Sequence, residues 1–336
     1  MLRYQRHGNM LRLKKSPKKR IAPDIMSILA GIDIGTNTLR LLIADVKGKY
    51  SFKEIRSERR ITRLGEGLIE NGRLMPSAEE RTIFVLKEFG EILKGYPVEA
   101  LAAVATSAVR EAENGREFVD KIKVETDFDV EVISGEEEAR RTFLGVVAGL
   151  NNKNGSLLII DIGGGSTEFI VSRNAEVLNT ISTGMGVVKL TEEFIKSDPV
   201  SDRELEGLRN AIEKEVKGLK DSLNSPANAA FVGTAGTITT LAAIDQNLTL
   251  YNPLRINNYV IKKKSVDRIF DNLKSMTIEE RLNMPALEKG REDLIIAGTA
   301  IVLSVMEKFG FSEMTVCDYG LREGIVIDLY NKKYSN

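Results

Sequence analysis

Apolar positions along this chain follow two rhythms in turn. Residues 28–34, apolar but for Gly31 and Asp33, predict a buried strand, "GTNT" a tight turn, and "LRLLIADV" a second strand. "GKYSFKEIRSER" predicts a third. Over 77–94, "SAEERTIFVLKEFGEILK" places apolar residues at helical spacing behind a Ser77 N-cap, with Glu80 three residues on. "ALAAVATSAVREAEN" reads as a strand running into a helix, "FDVEVIS" as a strand and "GEEEARRTFLGVVAGL" as a helix. The order is β-β-β-α-β-α-β-α.

That order then restarts. "SLLIIDI" predicts a strand, "GGGS" a turn, and "TEFIVSR" and "AEVLNTIST" two more strands. Helices follow over about 187–196 and 202–222, then "NAAFVG" as a strand and "TAGTITTLAAID" as a helix opening. Long helical patterns cover about 264–283 and 288–309, before a short strand in "EMTVCDYG" and a last helix in "LREGIVIDLYNKK". Laying "GIDIGTNTLRLLIADV" over "IIDIGGGSTEFIVSR" sets Asp33 on Asp161, Gly35 on Gly163 and Arg40 on Glu168. This internal duplication predicts two α/β halves with mixed sheets, facing each other across a cleft.

Composition narrows the chemistry. A chain of 336 residues suggests two domains, and 42% apolar with 29% charged residues is a globular profile. With 48 basic and 48 acidic residues, no global pull toward nucleic acid or an acidic membrane is indicated, and no specific nucleic-acid partner is expected. No apolar stretch approaches the roughly 20 residues of a membrane span. The single cysteine, Cys317, excludes an intrachain disulfide and points to a reducing compartment, the cytoplasm. The single histidine, His7, sits in a basic leader over residues 1–26, which reads as a disordered tail or as an upstream start in place of Met26, in preference to a basic arm for nucleic acid. Ser-His-Asp hydrolysis, Cys-His hydrolysis and imidazole-built zinc sites are therefore excluded from the patterned part of the chain. Acid–base work falls to carboxylates, Lys, Tyr or water.

The two Asp-Ile-Gly turns are the first candidates. A strand that ends in Asp and turns through Gly exposes successive backbone N–H groups. Glycine lets that backbone approach an anion and adopt positive φ, and such nests bind phosphate. Gly35, Thr36, Asn37 and Thr38 in one turn, and Gly163, Gly164, Gly165 and Ser166 in the other, are candidate phosphate binders. Asp33, Asp161 and Glu168 are candidates to hold Mg2+, or another divalent cation, or a water bound to it. One such turn alone is an ordinary Gly-rich hairpin; two in matching positions argue for a site. "FVGTAGTITTLAA" adds a third Gly-rich turn, with Gly233, Gly236 and Thr237 at a helix start, but without the lysine of a P-loop.

"SGEEEARRTFLG" opens a helix with three glutamates, which the helix dipole favours in any case. This helix joins the two repeats, so Glu138 is placed at the cleft, where a carboxylate can orient or deprotonate an attacking water. Arg40, Arg110, Arg291 and Arg322 are candidates to offset substrate charge, with Asp293 beside Arg291 and Lys189 as a further cation. Each alone reads equally as a salt-bridged surface residue.

Taken together, "GIDIGTNTLRLLIADV", "AVATSAVREAEN", "EVISGEEEARRTFLGV", "IIDIGGGSTEFIV", "FVGTAGTITTLAA", "REDLIIAG" and "DYGLREGI" resemble the exopolyphosphatase and guanosine pentaphosphate phosphatase family, within the actin-like ATPase superfamily, over about residues 27–330. The resemblance implies two ribonuclease-H-like domains with the active site between them. The last helix is expected to return to the first domain, giving bounds of 27–137 plus 319–336 and of 138–318. It further implies Glu138 as catalytic base, Asp161 and Glu168 in metal and water positioning, Gly163 in the phosphate loop, and Arg40 and Arg291 in phosphate recognition. Arg110 lies in a characteristic family motif, and a homodimer is implied as well. The chain departs from the family pattern at Ala235-Gly236-Thr237, where many relatives have Gly-Gly-Thr. The long members carry an additional C-terminal domain with a His-Asp metal site; the sequence reaches Asn336 without a histidine in that region, and the resemblance is therefore expected to be to the short form.

The resulting expectation is a Mg2+-dependent phosphohydrolase of inorganic polyphosphate, with guanosine pentaphosphate as a second substrate. A small-molecule kinase or ATPase of the same superfamily, and a non-catalytic nucleotide-binding assembly module, remain open alternatives. All of it requires Asp33 and Asp161 to share one crevice.

Overall fold

The computed structural model describes residues 27–226 and 228–334, so the basic leader with His7 lies outside the described residues. The first half of the chain runs β1 (Ser27–Ile34), β2 (Thr38–Gly48), β3 (Ser51–Ile61), α1 (Leu68–Asn71), α2 (Pro76–Lys94), β4 (Ala100–Ala105), α3 (Ser107–Glu111), α4 (Gly115–Thr126), β5 (Val130–Val132) and α5 (Gly135–Gly149). The second runs β6 (Ser156–Ile162), β7 (Thr167–Arg173), β8 (Glu176–Thr183), α6 (Val187–Phe194), α7 (Asp202–Leu223), β9 (Ala230–Thr234), α8 (Gly236–Asp245), α9 (Pro253–Ile256), β10 (Val260–Lys262), α10 (Lys263–Ser275), α11 (Ile278–Leu282), α12 (Ile295–Phe309), β11 (Glu313–Val316) and α13 (Leu321–Tyr334).

The strands form two sheets, ordered β3-β2-β1-β4-β5 and β10-β11-β9-β6-β7-β8. The duplication is visible in this order. In each, a hairpin strand pairs antiparallel with the next strand and parallel with a later one: β1 with β2 and β4, β6 with β7 and β9. Both sheets are covered on both faces, which is why β1 and β6 read as continuous apolar runs rather than alternating ones. Ala30, Ile32 and Ile34 pack under Leu86, Phe89 and Phe118 of α2 and α4, while Leu29 and Val104 face Val326 and Ile325 of α13. Likewise Leu158, Ile160 and Ile162 join the core under α7, α8 and α12, and Leu157 and Ile159 meet Phe143 and Val147 of α5.

The period of two then fixes where the two aspartates go. Asp33 follows Leu29 and Gly31 onto the α13 side, and Asp161 follows Leu157 and Ile159 onto the α5 side. Helices α5 and α13 cross each other with glycine at the contact: a Cβ at Gly145 would lie 1.9 Å from the Gly320 carbonyl oxygen, and one at Gly324 1.8 Å from that of Arg141. That crossing draws the two aspartate-bearing faces together.

Several expected boundaries differ. Helix α2 begins at Pro76 with Met75 as its cap, not behind Ser77, because proline has a helical φ and no N–H to satisfy at the first position. The pattern over 264–283 is two helices, since Thr277 and Glu280 form a capping box that starts α11 afresh. Helix α12 starts at Ile295 rather than near 288, after a turn in which Gly290 has φ 92°. Helix α4, with Phe118 and Ile122 one turn apart on its buried side, is absent from the expected order, as are α1, α9 and β10. No helix among the described residues is long and apolar enough to cross a membrane.

Candidate functional site

Strands β1 and β4 run parallel, as do β6 and β9, so their C-terminal ends and the turns that follow meet at one place. The two hairpin turns share one frame: the Gly35 N–H donates to the Thr38 carbonyl at 3.1 Å, and the Gly163 N–H to the Ser166 carbonyl at 2.9 Å. They face each other across a cavity of about 70 Å³, enough for a few waters or one phosphoryl group. Asp33 and Asp161 both line it, so the shared crevice exists. None of the glycines in these turns has positive φ, contrary to expectation. Their purpose is close approach: a Cβ at Gly164 would lie 2.9 Å from Thr36 Cβ, and one at Gly165 only 2.4 Å from Ser107 Oγ and 2.8 Å from Thr36 Oγ1. Among the described residues, the backbone N–H groups of Thr36, Asn37, Gly164 and Gly165 find no acceptor in the fold, the arrangement of an anion nest.

The carboxylates of this region are buried together. Glu138 lines the cavity from the first turn of α5, where Ser134 caps the helix. Burial, and then Glu168, push its carboxyl well above the ordinary range, against the pull of Arg110 at 3.1 Å. Asp33 is pushed up to about 6, chiefly by burial, although Arg40 lies 3.9 Å away. Burial also raises Asp161, which accepts from Thr142 at 3.1 Å. Glu168 stands behind Asp161 rather than on the cavity wall; it accepts from Ser182 at 2.8 Å and is pushed up to about 8 by burial and by Asp161.

The structure distributes the remaining candidates unevenly. Thr36, Asn37, Thr38, Arg40, Ser166, Gly236 and Arg291 line the cavity. Arg291 lies flat on Gly236, where a Cβ would meet its Nη1 at 2.0 Å, and it reaches Glu288 at 2.8 Å and Thr38 Oγ1 at 3.4 Å. Arg110 does not reach the wall, because it is held by the Ile133 carbonyl at 2.8 Å and by Glu138. The Thr237 side chain is turned away onto Gly298 of α12. Gly233 packs on Met314 and Ile238. Asp293 pairs with Arg63 through two bonds of 2.8 and 3.0 Å, and Lys189 pairs with Glu111 at 2.6 Å. Arg322, bonded to Glu323 and Ser57, lines an adjoining cavity of about 580 Å³ that shares Arg40, Asp161, Ala235, Gly236 and Leu321 with the first.

Thr106 and Ser107 are not among the site residues expected from the sequence, yet both line the cavity. A signal for them exists: "ATS" ends a strand parallel to β1, in register with its Asp-Ile-Gly end. Among the described residues no three Asp, Glu, His or Cys side chains converge into a ready cage for a metal ion. The donor set still fits a hard divalent cation of the Mg2+ type, which takes one or two carboxylates and completes its shell with water and phosphate oxygens. Asp33 and Asp161 on one small cavity, with Glu168 behind, supply that set.

Comparison with known proteins shows the family of the chain. The model of the Ppx/GppA phosphatase family matches residues 42–333. The chain is 32% identical over 314 residues to exopolyphosphatase 2 of Mycobacterium tuberculosis, covering 90% of this chain and 98% of that one. It superimposes on a crystal structure of the Ppx/GppA family member of Aquifex aeolicus with a TM-score of 0.79 and 36% identity, covering 92% of this chain and 99% of that one. An exopolyphosphatase from Cytophaga hutchinsonii gives a TM-score of 0.83 at 30% identity, covering 90% and 97% of the two chains. The fold is the paired, mixed-sheet α/β architecture of these structures.

Proposed function

The chain belongs to the Ppx/GppA phosphatase family, and on that premise we propose that it hydrolyses phosphoanhydrides, releasing the terminal phosphate of inorganic polyphosphate. The observation that carries this reading is the pair of opposed turns closing on one small cavity beside a buried Glu138. The unpaired N–H groups of both turns, with Arg40 and Arg291, receive the terminal phosphoryl oxygens. Glu138 takes a proton from the attacking water; burial and Glu168 raise its proton affinity, as a base requires, and Arg110 limits the rise. Asp161 and Asp33, with Glu168 supporting, would hold Mg2+ at the same cavity, which when bound supplies charge neutralisation to the phosphate oxygens. Catalysis of this type rests on positioning and electrostatics.

The test is phosphate release from polyphosphate, guanosine pentaphosphate and ATP by one preparation, each with and without a small hydroxylic acceptor. Release from polyphosphate without acceptor is expected; acceptor-dependent ATP turnover would make the protein a kinase instead. Glu138→Gln is expected to keep substrate binding and lose about 100- to 10,000-fold in kcat. Unchanged turnover removes Glu138 from the role of base.

A further inference from the structure

A chain of polar contacts crosses the cleft beside the cavity and has no part in the steps above. Ser107 Oγ, on the cavity wall and almost wholly buried, donates to Glu111 Oε1 at 2.6 Å. The other oxygen of Glu111 receives Lys189 Nζ at 2.6 Å. Ser107 and Glu111 stand one turn apart on α3, which follows a strand of the first sheet. Lys189 belongs to α6, whose opening residues Val187 and Val188 donate their N–H groups to the carbonyls of Gly163 and Gly164. The chain of contacts therefore ties the wall of one half to the bare turn of the other.

We propose that Glu111 is a positioning residue that makes closure of the cleft set the orientation of the Ser107 hydroxyl, and that Ser107 so oriented holds the attacking water. The inference rests on the hydrolytic reading of this cavity. A hydroxyl has one proton and two lone pairs. With its proton given to Glu111, Ser107 offers the cavity only lone pairs. Phosphate oxygens, which have no proton to give, are poor partners for such a group, whereas a water donates to it readily. The oxygen is close against the second turn, where a Cβ at Gly165 would come within 2.4 Å, and it shares the cavity with Glu138. A water there donates one proton to Ser107 and its other to Glu138, which leaves a lone pair for phosphorus. Glu111 remains an ionised acceptor: burial raises its carboxyl, but Lys189 and Ser107 outweigh burial and hold it below the ordinary range. When the cleft opens, Lys189 leaves with α6, Glu111 turns to solvent, and the hydroxyl is released.

The experiment compares Ser107→Ala, Lys189→Met, Glu111→Ala and the charge swap Glu111→Lys/Lys189→Glu in polyphosphate hydrolysis, with small-angle X-ray scattering as a readout independent of activity. Ser107→Ala is expected to lower kcat about 10- to 100-fold, with KM within about twofold. Lys189→Met is expected to raise KM about two- to fivefold, as suits a partly exposed ion pair, and to expand the molecule in scattering. The charge swap is expected to restore KM and compactness but not kcat, because lysine at 111 cannot accept the serine proton. If the wild type releases no phosphate from polyphosphate, the hydrolytic reading falls and takes this inference with it. If the wild type is active and Ser107→Ala leaves kcat unchanged, the hydrolytic reading stands and this inference is overturned. It is overturned equally if Glu111→Ala shifts only the melting temperature.

Discussion

The turn over 35–38 and the turn over 163–166 have the same internal hydrogen bond, the same strand neighbours and opposite contents. The first has Thr36 and Asn37 at its tip; the second has Gly164 and Gly165. Across the first hairpin an acid faces a base, Asp33 opposite Arg40; across the second an acid faces an acid, Asp161 opposite Glu168. The duplicated frame has divided its labour. One turn presents side chains to the cavity and is close to neutral. The other offers bare backbone and surplus negative charge. The first could not be copied onto the second, because Thr36 and Ser107 occupy the space that side chains at 164 and 165 would need. Gly164 and Gly165 follow from that interlock, and Gly163 from the closeness of its own turn's Ser166 carbonyl at 3.0 Å, rather than from unusual backbone angles.

The largest effects should come from breaking this asymmetry. Gly165→Ala puts a carbon where Ser107 and Thr36 already stand and is expected to force the turns apart, lowering kcat/KM about 100-fold or more and reducing the melting temperature. Asn37→Ala does the reverse to the other turn. Both carboxamide atoms of Asn37 are buried and unpartnered, so their removal is expected to leave the melting temperature unchanged or raise it, while kcat/KM falls about tenfold. Thermal melts and steady-state kinetics on the two variants check the contrast. Melting shifts of the same sign would show that the turns are not complementary.

Charge provides a second, smaller test. Glu168 carries its proton up to a pH of about 8 in the fold, where burial and Asp161 disfavour the ionised form, but only to the ordinary carboxylate range when unfolded. Asp33 behaves alike up to about 6. Between these limits the folded state binds more protons than the unfolded state, so stability falls as pH rises. Glu137, held at about 2 chiefly by Arg140, acts below this window and with the opposite sign. In a chelating buffer the melting temperature is therefore expected to decline from about pH 5 to about pH 8. Mg2+ should flatten the decline by replacing the protons, and Glu168→Gln should make its upper part shallower, leaving the shares of Glu138, Asp33 and Asp318. A pH-independent melting curve without divalent cation would contradict the burial of uncompensated acid in the second hairpin.

The hairpins are legible in the sequence because an apolar run that ends in Asp-Ile-Gly states both the strand and its stop: β6 and β7 fall on the expected residues 156–162 and 167–173. Glu138 is legible because a helix joining two repeats begins at their cleft. What is not legible depends on contacts between distant segments. Arg110 looks in sequence like any arginine near a phosphate motif; only the fold shows it held by Ile133 and Glu138. Ser107 and Lys189 lie on separate helices, and no spacing relates them until Glu111 is seen between the two. Helix α4 escapes a pattern reading because its apolar stripe is narrow and its first residue is glycine, a poor helix opener on propensity alone.

The smallest expected effect concerns the third loop, where an alanine, Ala235, stands between the strand and the helix it feeds. Its backbone has φ 74° and ψ −178°, a region that only glycine occupies without strain. A side chain at its neighbour Gly236 would displace the Arg291 guanidinium that lies on it. Ala235 lines both the small cavity and the larger one beside it. Ala235→Gly relieves strain of about 1–3 kcal/mol and gives back part of it as unfolded-chain entropy, for a net gain of about 1 kcal/mol. A rise of about 2 °C in melting temperature is expected, with kcat/KM within about twofold. A fall instead would mean that the alanine methyl makes contacts worth more than the strain, and that this loop, unlike the two hairpin turns, requires its side chain for the fold.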